Sequence, residues 1–216
     1  QIKEQAGGGT VTILCMGSPA ATEVMRECIA IGANDGVLVC DGGVRGSDTL
    51  ATGKVLAKAI EKIGGVDAVF TGKKSLDGDT GQIPPAVAQR LGMNLLSYVE
   101  SVSFADGKLQ ATRKNNSGVE TIEAPTPVVV SVMETANTVR TPNLKGKMSA
   151  KKVVFPAWTL ADINLAPEAV GSSGSGTKVT ELFEPPKHEQ GVIISGADEA
   201  ASIQELADTL RSKKVI

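Results

Sequence analysis

The chain has 216 residues, 41% of them hydrophobic and 21% charged, and its 22 basic and 24 acidic side chains leave a formal net charge of −2. That balance suits one large domain, or one domain with an appendage, able to bury an ordinary core. Near-neutral charge and only 3% aromatic residues give no reason to expect a nucleic-acid partner. No apolar run reaches the length of a membrane span and no signal-peptide pattern opens the chain, so a cytoplasmic protein is expected.

Gln1–Gly9, "QIKEQAGGG", has the look of a helix end with its glycine stop. No strand precedes it, and the native chain is expected to start earlier. "TVTILCMG" (10–17) predicts a strand, and "PAATEVMRECIAIGA" (19–33) a helix with Val24, Cys28 and Ile31 at helical spacing. "DGVLVCDGG" (35–43) predicts a second strand. A second helix then follows, capped by Ser47 or Asp48 and closed by Gly64 and Gly65. "VDAVFTGKK" (66–74) predicts a third strand. Ile83 and Pro84 each precede a proline and are biased away from helix, so Pro85 is expected to open the third helix, which Gly92 ends. Apolar strands alternating with helices indicate a parallel sheet covered on both faces.

The pattern then turns antiparallel. Asp106-Gly107 is a hairpin signal between alternating segments, "SGVETIEA" (117–124) adds a strand, and "PTPVVVSVME" (125–134) is a last buried one. The expected fold is therefore α/β, a doubly wound, mostly parallel sheet with an antiparallel excursion. Residues 135–152 are basic, lack apolar periodicity and are expected to form an exposed segment. Residues 165–191, rich in Gly, Ser and Pro, are expected to be an extended arm. Beyond it, residues 198–216 predict an amphipathic helix with Asp198 as N-cap. Whether that helix docks on another subunit or folds back on its own sheet stays open. The division expected is a nucleotide-binding domain over 1–160 and an arm with its helix over 161–216.

Conventional side-chain catalysis has little support. The cysteines Cys15, Cys28 and Cys40 form no Cys-x-x-Cys pair and the single histidine, His188, is distant, which disfavours a zinc site or a Ser-His-Asp triad. Two glycine-bearing loops offer more, because both follow strands and lead into helices at the carboxyl edge where open α/β sheets bind ligands. In "DGGVRGSDTLATG" (41–53), Thr49 and Thr52 fall on one side of the first helical turn. In "FTGKKSLDGDTGQIPP" (70–85), Gly72, Gly78 and Gly81 allow successive amides to form an anion-binding nest. Asp77 and Asp79 are expected to brace the turn rather than meet the anion. Together the loops predict nucleotide binding.

"GSDTLAT", "DAVFTGKKSLDGDTGQIPPAVAQRLG" and "ANTVRTPNLKGKMSAKK", in this order, resemble the β subunit of electron transfer flavoproteins, and the resemblance extends through "AWTLADI" and the late Gly/Ser arm. It implies a Rossmann-like domain in a heterodimer with an electron transfer flavoprotein α subunit. Either structural AMP or FAD would be held here, and no side chain would perform acid–base or nucleophilic chemistry. By resemblance, Asp79, Thr80, Gly81, Gln82 and Ile83 form the phosphate loop and Met16 and Gly17 meet the adenine or ribose. Asp48, Thr49 and Thr52 resemble the FAD-binding, bifurcating type, in which NADH supplies electrons to a low-potential acceptor (ferredoxin or flavodoxin) and to a flavin-dependent dehydrogenase. FAD is therefore preferred over AMP; a non-redox adenine-nucleotide module is the alternative. Gln82-Ile83-Pro84-Pro85 departs from the usual Gln-Val-Gly-Pro, and Pro84 removes an amide. The basic segment resembles the family's recognition loop for dehydrogenases, with Leu144 as apolar anchor followed by Lys151 and Lys152. Arg45 or Lys73 is a candidate cation near a flavin.

Overall fold

A computed structural model describes residues 1–187 and 191–216; His188 lies outside the described residues. The chain divides into two compact units, Gln1–Lys178 and Val179–Ile216.

In the first unit, a short helix α1 (Ile2–Gln5) is followed by β1 (Thr12–Met16), α2 (Ala21–Ala30), β2 (Asp35–Val39), α3 (Thr49–Ile63), β3 (Ala68–Gly72), α4 (Ile83–Leu91) and β4 (Asn94–Val99). The antiparallel strands β5 (Ser101–Ala105), β6 (Lys108–Asn115) and β7 (Gly118–Pro125) come next, then β8 (Val128–Val132), α5 (Leu144–Lys152), β9 (Ala157–Trp158) and α6 (Gly171–Gly174). The strands pair in three ladders: β1-β2-β9 and β3-β8-β4, both parallel, and β5-β6-β7, antiparallel. The expected mixed α/β architecture with its antiparallel excursion is present. Val128, Val129 and Val130 of β8 are wholly buried, as befits a strand covered on both faces. One apolar cluster joins Leu14 of β1 and Val129 of β8 to Ile60 of α3 and Val87 of α4, so both parallel ladders share a core beneath those two helices.

Local chemistry explains several boundaries. Asp48, not Ser47, caps α3, its Oδ1 accepting from Ala51 N at 2.9 Å. Asp106 and Gly107 both take positive φ, 52° and 74°, as a tight hairpin between right-twisted strands demands. In the second unit the last helix, α7 (Glu199–Ser212), is capped by Asp198, whose Oδ1 accepts from Ala201 N at 2.8 Å. That helix buries no residue.

Four expectations need correction. The buried face of α2 is Met25 and Ile29, whereas Val24 is exposed; the helix is rotated because Met25 reaches into the cluster around Leu38 and Phe155. Helix α4 begins at Ile83, two residues before Pro85, and its first backbone bond runs from Ala86 N to Gln82 O at 3.1 Å. Both prolines thus occupy positions whose N–H has no helical acceptor in any case, so neither interrupts the ladder. Residues 144–152 are largely exposed, as expected, but form a helix that their lack of apolar periodicity does not predict: Asn143 caps α5, and Gly146 lets its backbone lie against the Ala30 carbonyl of α2. Finally, residues 165–178 are not extended. They fold on α3, with Val170 fully buried among Val44, Val55 and Leu160.

Candidate nucleotide site at the carboxyl edge of the sheet

β1 and β2 end in register at Met16 and Val39, and Gly17 N donates to Val39 O at 3.0 Å. β3 and β8 end in register at Gly72 and Val132. The loops leaving β2 and β3 lead into α3 and α4, so the candidate residues Met16, Gly17, Thr49, Thr52, Gly72 and 79–83 come from the carboxyl ends of parallel strands and the amino ends of the helices that follow. A direct bond ties the two loops, with Thr49 Oγ1 donating to Gln82 Oε1 at 2.7 Å.

The carboxylates and serines of the first loop are engaged by its own chain. Asp41 accepts from Gly43 N at 2.8 Å and from Leu160 N at 3.0 Å. These amides, that of Leu160 foremost, hold its carboxyl below the ordinary aspartate range. Asp48 caps α3 with one oxygen, while the other accepts from Gly176 N at 2.8 Å and Thr177 N at 3.2 Å. Its pKa is also lowered, chiefly by Ala51 N. Ser175 Oγ accepts from Asp48 N at 2.8 Å, and Ser47 Oγ accepts from Gly171 N at 2.9 Å. The Gly/Ser segment is therefore sewn onto this loop, and both Asp48 oxygens already have protein donors. Thr52 N, one turn in, donates to Asp48 O at 2.8 Å.

The second loop is open. Leu76, Asp77, Gly78, Asp79 and Thr80 are all exposed. Asp77 folds back, its Oδ1 accepting from Gly78 N at 2.7 Å, and Ser75 followed by that amide lowers its pKa. Asp79, at φ 52°, pairs with Lys74 and raises the Lys74 pKa, with Glu134 adding to the effect. Both carboxylates thus brace the turn. Lys73 pairs with Glu134 at 3.6 Å, while Arg45 is exposed. Gln82 N has only a long bond, 3.4 Å, to Thr80 Oγ1. Among the described residues the amides of Thr80, Gly81 and Ile83 have no acceptor.

Unpaired amides in a glycine-bearing turn at the amino end of a helix are the kind of donor that phosphoryl oxygens accept from. Gly81, at φ 63°, lies so close to its surroundings that a methyl group there would sit 2.9 Å from Tyr98 Oη. The donor set is compatible with a phosphate-bearing cofactor, and a side chain at position 81 would have to displace the Tyr98 phenol.

Residues 1–163 match the family of the electron transfer flavoprotein domain. The chain belongs to the electron transfer flavoprotein family, as a β subunit. It is 37% identical over 98% of its length, and 79% of the relative's, to the caffeyl-CoA reductase–Etf complex subunit CarD of Acetobacterium woodii. It is 34% identical to the electron transfer flavoprotein subunit beta of Megasphaera elsdenii, over 95% of this chain and 79% of that one. The corresponding subunit of Mycobacterium bovis is 36% identical over 99% and 80%. An electron transfer role follows from membership, and among the described residues no helix is long and apolar enough to cross a membrane.

Leu144, the first residue of α5, is 76% exposed, and Lys151 and Lys152 are exposed in its last turn. α5 packs on α2 through Ala150 and Gly146, leaving Leu144 and Met148 outward. Sequence reasoning overlooked Tyr98 and Ser175. The first is the single tyrosine of the chain, a signal that composition could have raised; the second sat in a segment read as an arm.

Proposed function

We propose that this β subunit pairs with an electron transfer flavoprotein α subunit and holds FAD, in preference to AMP, with its phosphates on the Thr80–Ile83 amides and its nucleoside near Met16, Gly17 and Gly72. The observation that carries the reading is the set of unpaired amides around Gly81, in the exposed turn between the carboxyl end of β3 and the amino end of α4. Thr49 orients the Gln82 carboxamide, so that its N–H donors are turned away from the first loop. Flavin, when bound, supplies hydride and single-electron chemistry; the chain contributes binding, orientation and electrostatics.

In the assembled protein, NADH delivers electrons that pass to a low-potential acceptor, ferredoxin or flavodoxin, and to a flavin-dependent dehydrogenase. Two features favour this bifurcating form: the Gly46–Thr52 stretch "GSDTLAT", and the 37% identity to a subunit of a caffeyl-CoA reductase–Etf complex. Leu144, with Met148 beside it and Lys151 and Lys152 beyond, is an apolar anchor in a basic setting, suited to a transient interface with the dehydrogenase.

Co-expression with the α subunit, followed by denaturation and chromatography of the released nucleotides, tests the reading. Two flavins per heterodimer and no AMP are expected. One flavin with AMP overturns the bifurcating form, and absence of nucleotide overturns the site. Leu144→Ala is expected to slow electron delivery to the dehydrogenase at least severalfold with nucleotide content unchanged; undiminished delivery removes Leu144 from the interface.

A further inference from the structure

Between Leu96 and Val99 strand β4 advances three residues while its partner β8 advances two, from Val130 to Val132. The extra residue makes a bulge, a device that re-aims a side chain at the end of a strand. Tyr98 sits in it at φ 58°, a left-handed conformation that bulky residues seldom adopt. The bulge is held by Ser131, which is 2% exposed and is the buried polar side chain among the described core residues. Its Oγ accepts from Tyr98 N at 3.0 Å. A buried hydroxyl opposite a strained aromatic is an arrangement that apolar packing alone does not call for.

The phenol is carried to the phosphate loop. Tyr98 is 47% exposed, and its Oη is the atom that a methyl group on Gly81 would meet first, at 2.9 Å. Among the described residues this hydroxyl has no hydrogen-bond partner, and the neighbouring amides of Thr80 and Gly81 have none either. The phenol O–H is thus brought beside the backbone of Gly81, in the turn whose amides lack acceptors.

We propose that Tyr98 is a ligand-contacting residue of the nucleotide site, its hydroxyl donating to the phosphoryl oxygen held by the Thr80–Gly81 amides, and that the β4 bulge with Ser131 exists to aim it there. This inference rests on the nucleotide reading given above. It also explains the glycine at position 81, since a side chain there would displace the phenol.

The test uses the co-expressed heterodimer, stripped of nucleotide and titrated calorimetrically with AMP and with FAD. Tyr98→Phe keeps the ring and removes only the donor. A hydrogen bond to a charged group predicts roughly 10- to 100-fold weaker binding, with Tm unchanged. Ser131→Ala leaves the ring and hydroxyl in place but unpins the bulge, and is expected to weaken binding by a smaller factor while lowering Tm. Binding by Tyr98→Phe within twofold of the unsubstituted protein overturns the contact and leaves the nucleotide site standing. An unsubstituted heterodimer that binds neither AMP nor FAD overturns both.

Discussion

The two glycine-bearing loops at the carboxyl edge look alike in sequence and differ in how their polar groups are satisfied. The loop before α3 finds partners within the chain: Asp41 takes the Leu160 amide, Asp48 takes those of Ala51, Gly176 and Thr177, and Ser47 and Ser175 complete the seam. Among the described residues the loop before α4 leaves the amides of Thr80, Gly81 and Ile83 without acceptors, and it exposes its tip. A glycine turn entering a helix is therefore only a possibility of anion binding. Accounting for the polar groups shows that the first turn bonds its carboxylates and serines to the rest of the chain, whereas the second bonds mainly to itself.

The sharpest way to break this contrast is Gly81→Val. A β-branched residue at φ 63° is strained, and its Cβ would meet Tyr98 Oη at 2.9 Å. At least a tenfold loss of bound nucleotide in the purified heterodimer is expected, with a Tm change of a few degrees at most because the loop is exposed. Full retention of nucleotide would mean that the amides around Gly81 are not the site.

Asp48→Ala is expected to do the reverse. It removes the α3 cap and the acceptor for Gly176 and Thr177 together. Tm should fall by about 3–6 °C, as loss of a helix cap does in a domain of this size. Nucleotide content should hold. An unchanged Tm with lost nucleotide, measured by thermal melting and chromatography, would exchange the roles of the two loops.

How far these roles could be read from the sequence follows from the range of the interactions involved. The Asp106-Gly107 hairpin, the Asp198 cap and the parallel strands rest on local rules, and they appear where the residues predicted them. The face of α2 was misread because Val24 and Met25 both satisfy a helical period, and only the position of Leu38 and Phe155 decides between them. α5 was missed because it buries Ala150 alone and carries a glycine mid-helix; its order comes from the Asn143 cap and from contact with α2. The Gly171–Thr177 segment has the composition of a linker, yet its serines and amides match Asp48 and Ser47 across more than 120 positions of chain. Tyr98 was invisible because its role depends on a register slip between two strands. Near the candidate site, the turn braced by Asp77 and Asp79 was legible, whereas the bonding of the Asp48 carboxylate to Gly176 and Thr177 was not.

Thr49→Val probes the join between the loops. It removes the donor to Gln82 Oε1, an exposed bond of 2.7 Å, without touching the open amides. A loss of about 0.5–1 kcal/mol, or roughly two- to fivefold in nucleotide affinity by calorimetry, is expected from freeing the Gln82 carboxamide. Tm should not move. If affinity falls as far as in Gly81→Val, the loops act as one unit and the contrast between them dissolves.

Acid titration gives the smallest effect and separates the loops by sign. Asp41 and Asp48 both have pKa values lowered from the ordinary 3.8 by backbone donors, Leu160 N first for Asp41 and Ala51 N first for Asp48. A carboxyl whose folded pKa is depressed binds protons more readily when unfolded, so its contribution to stability is present above the unfolded value and drains away as pH falls through the folded one. Tm should therefore be insensitive to these two groups at neutral pH and decline below about pH 4. Asp41→Asn with Asp48→Asn keeps acceptors at both positions and removes the titration, so the acid decline should become shallower by a degree or two. Asp77, in the open loop, is lowered by Ser75 and Gly78 within its own turn. Since that local turn can persist when the domain unfolds, Asp77→Asn should leave the acid limb where it was. An acid limb that flattens with Asp77→Asn and not with the pair would show that the second loop, rather than the first, is bound into the folded core.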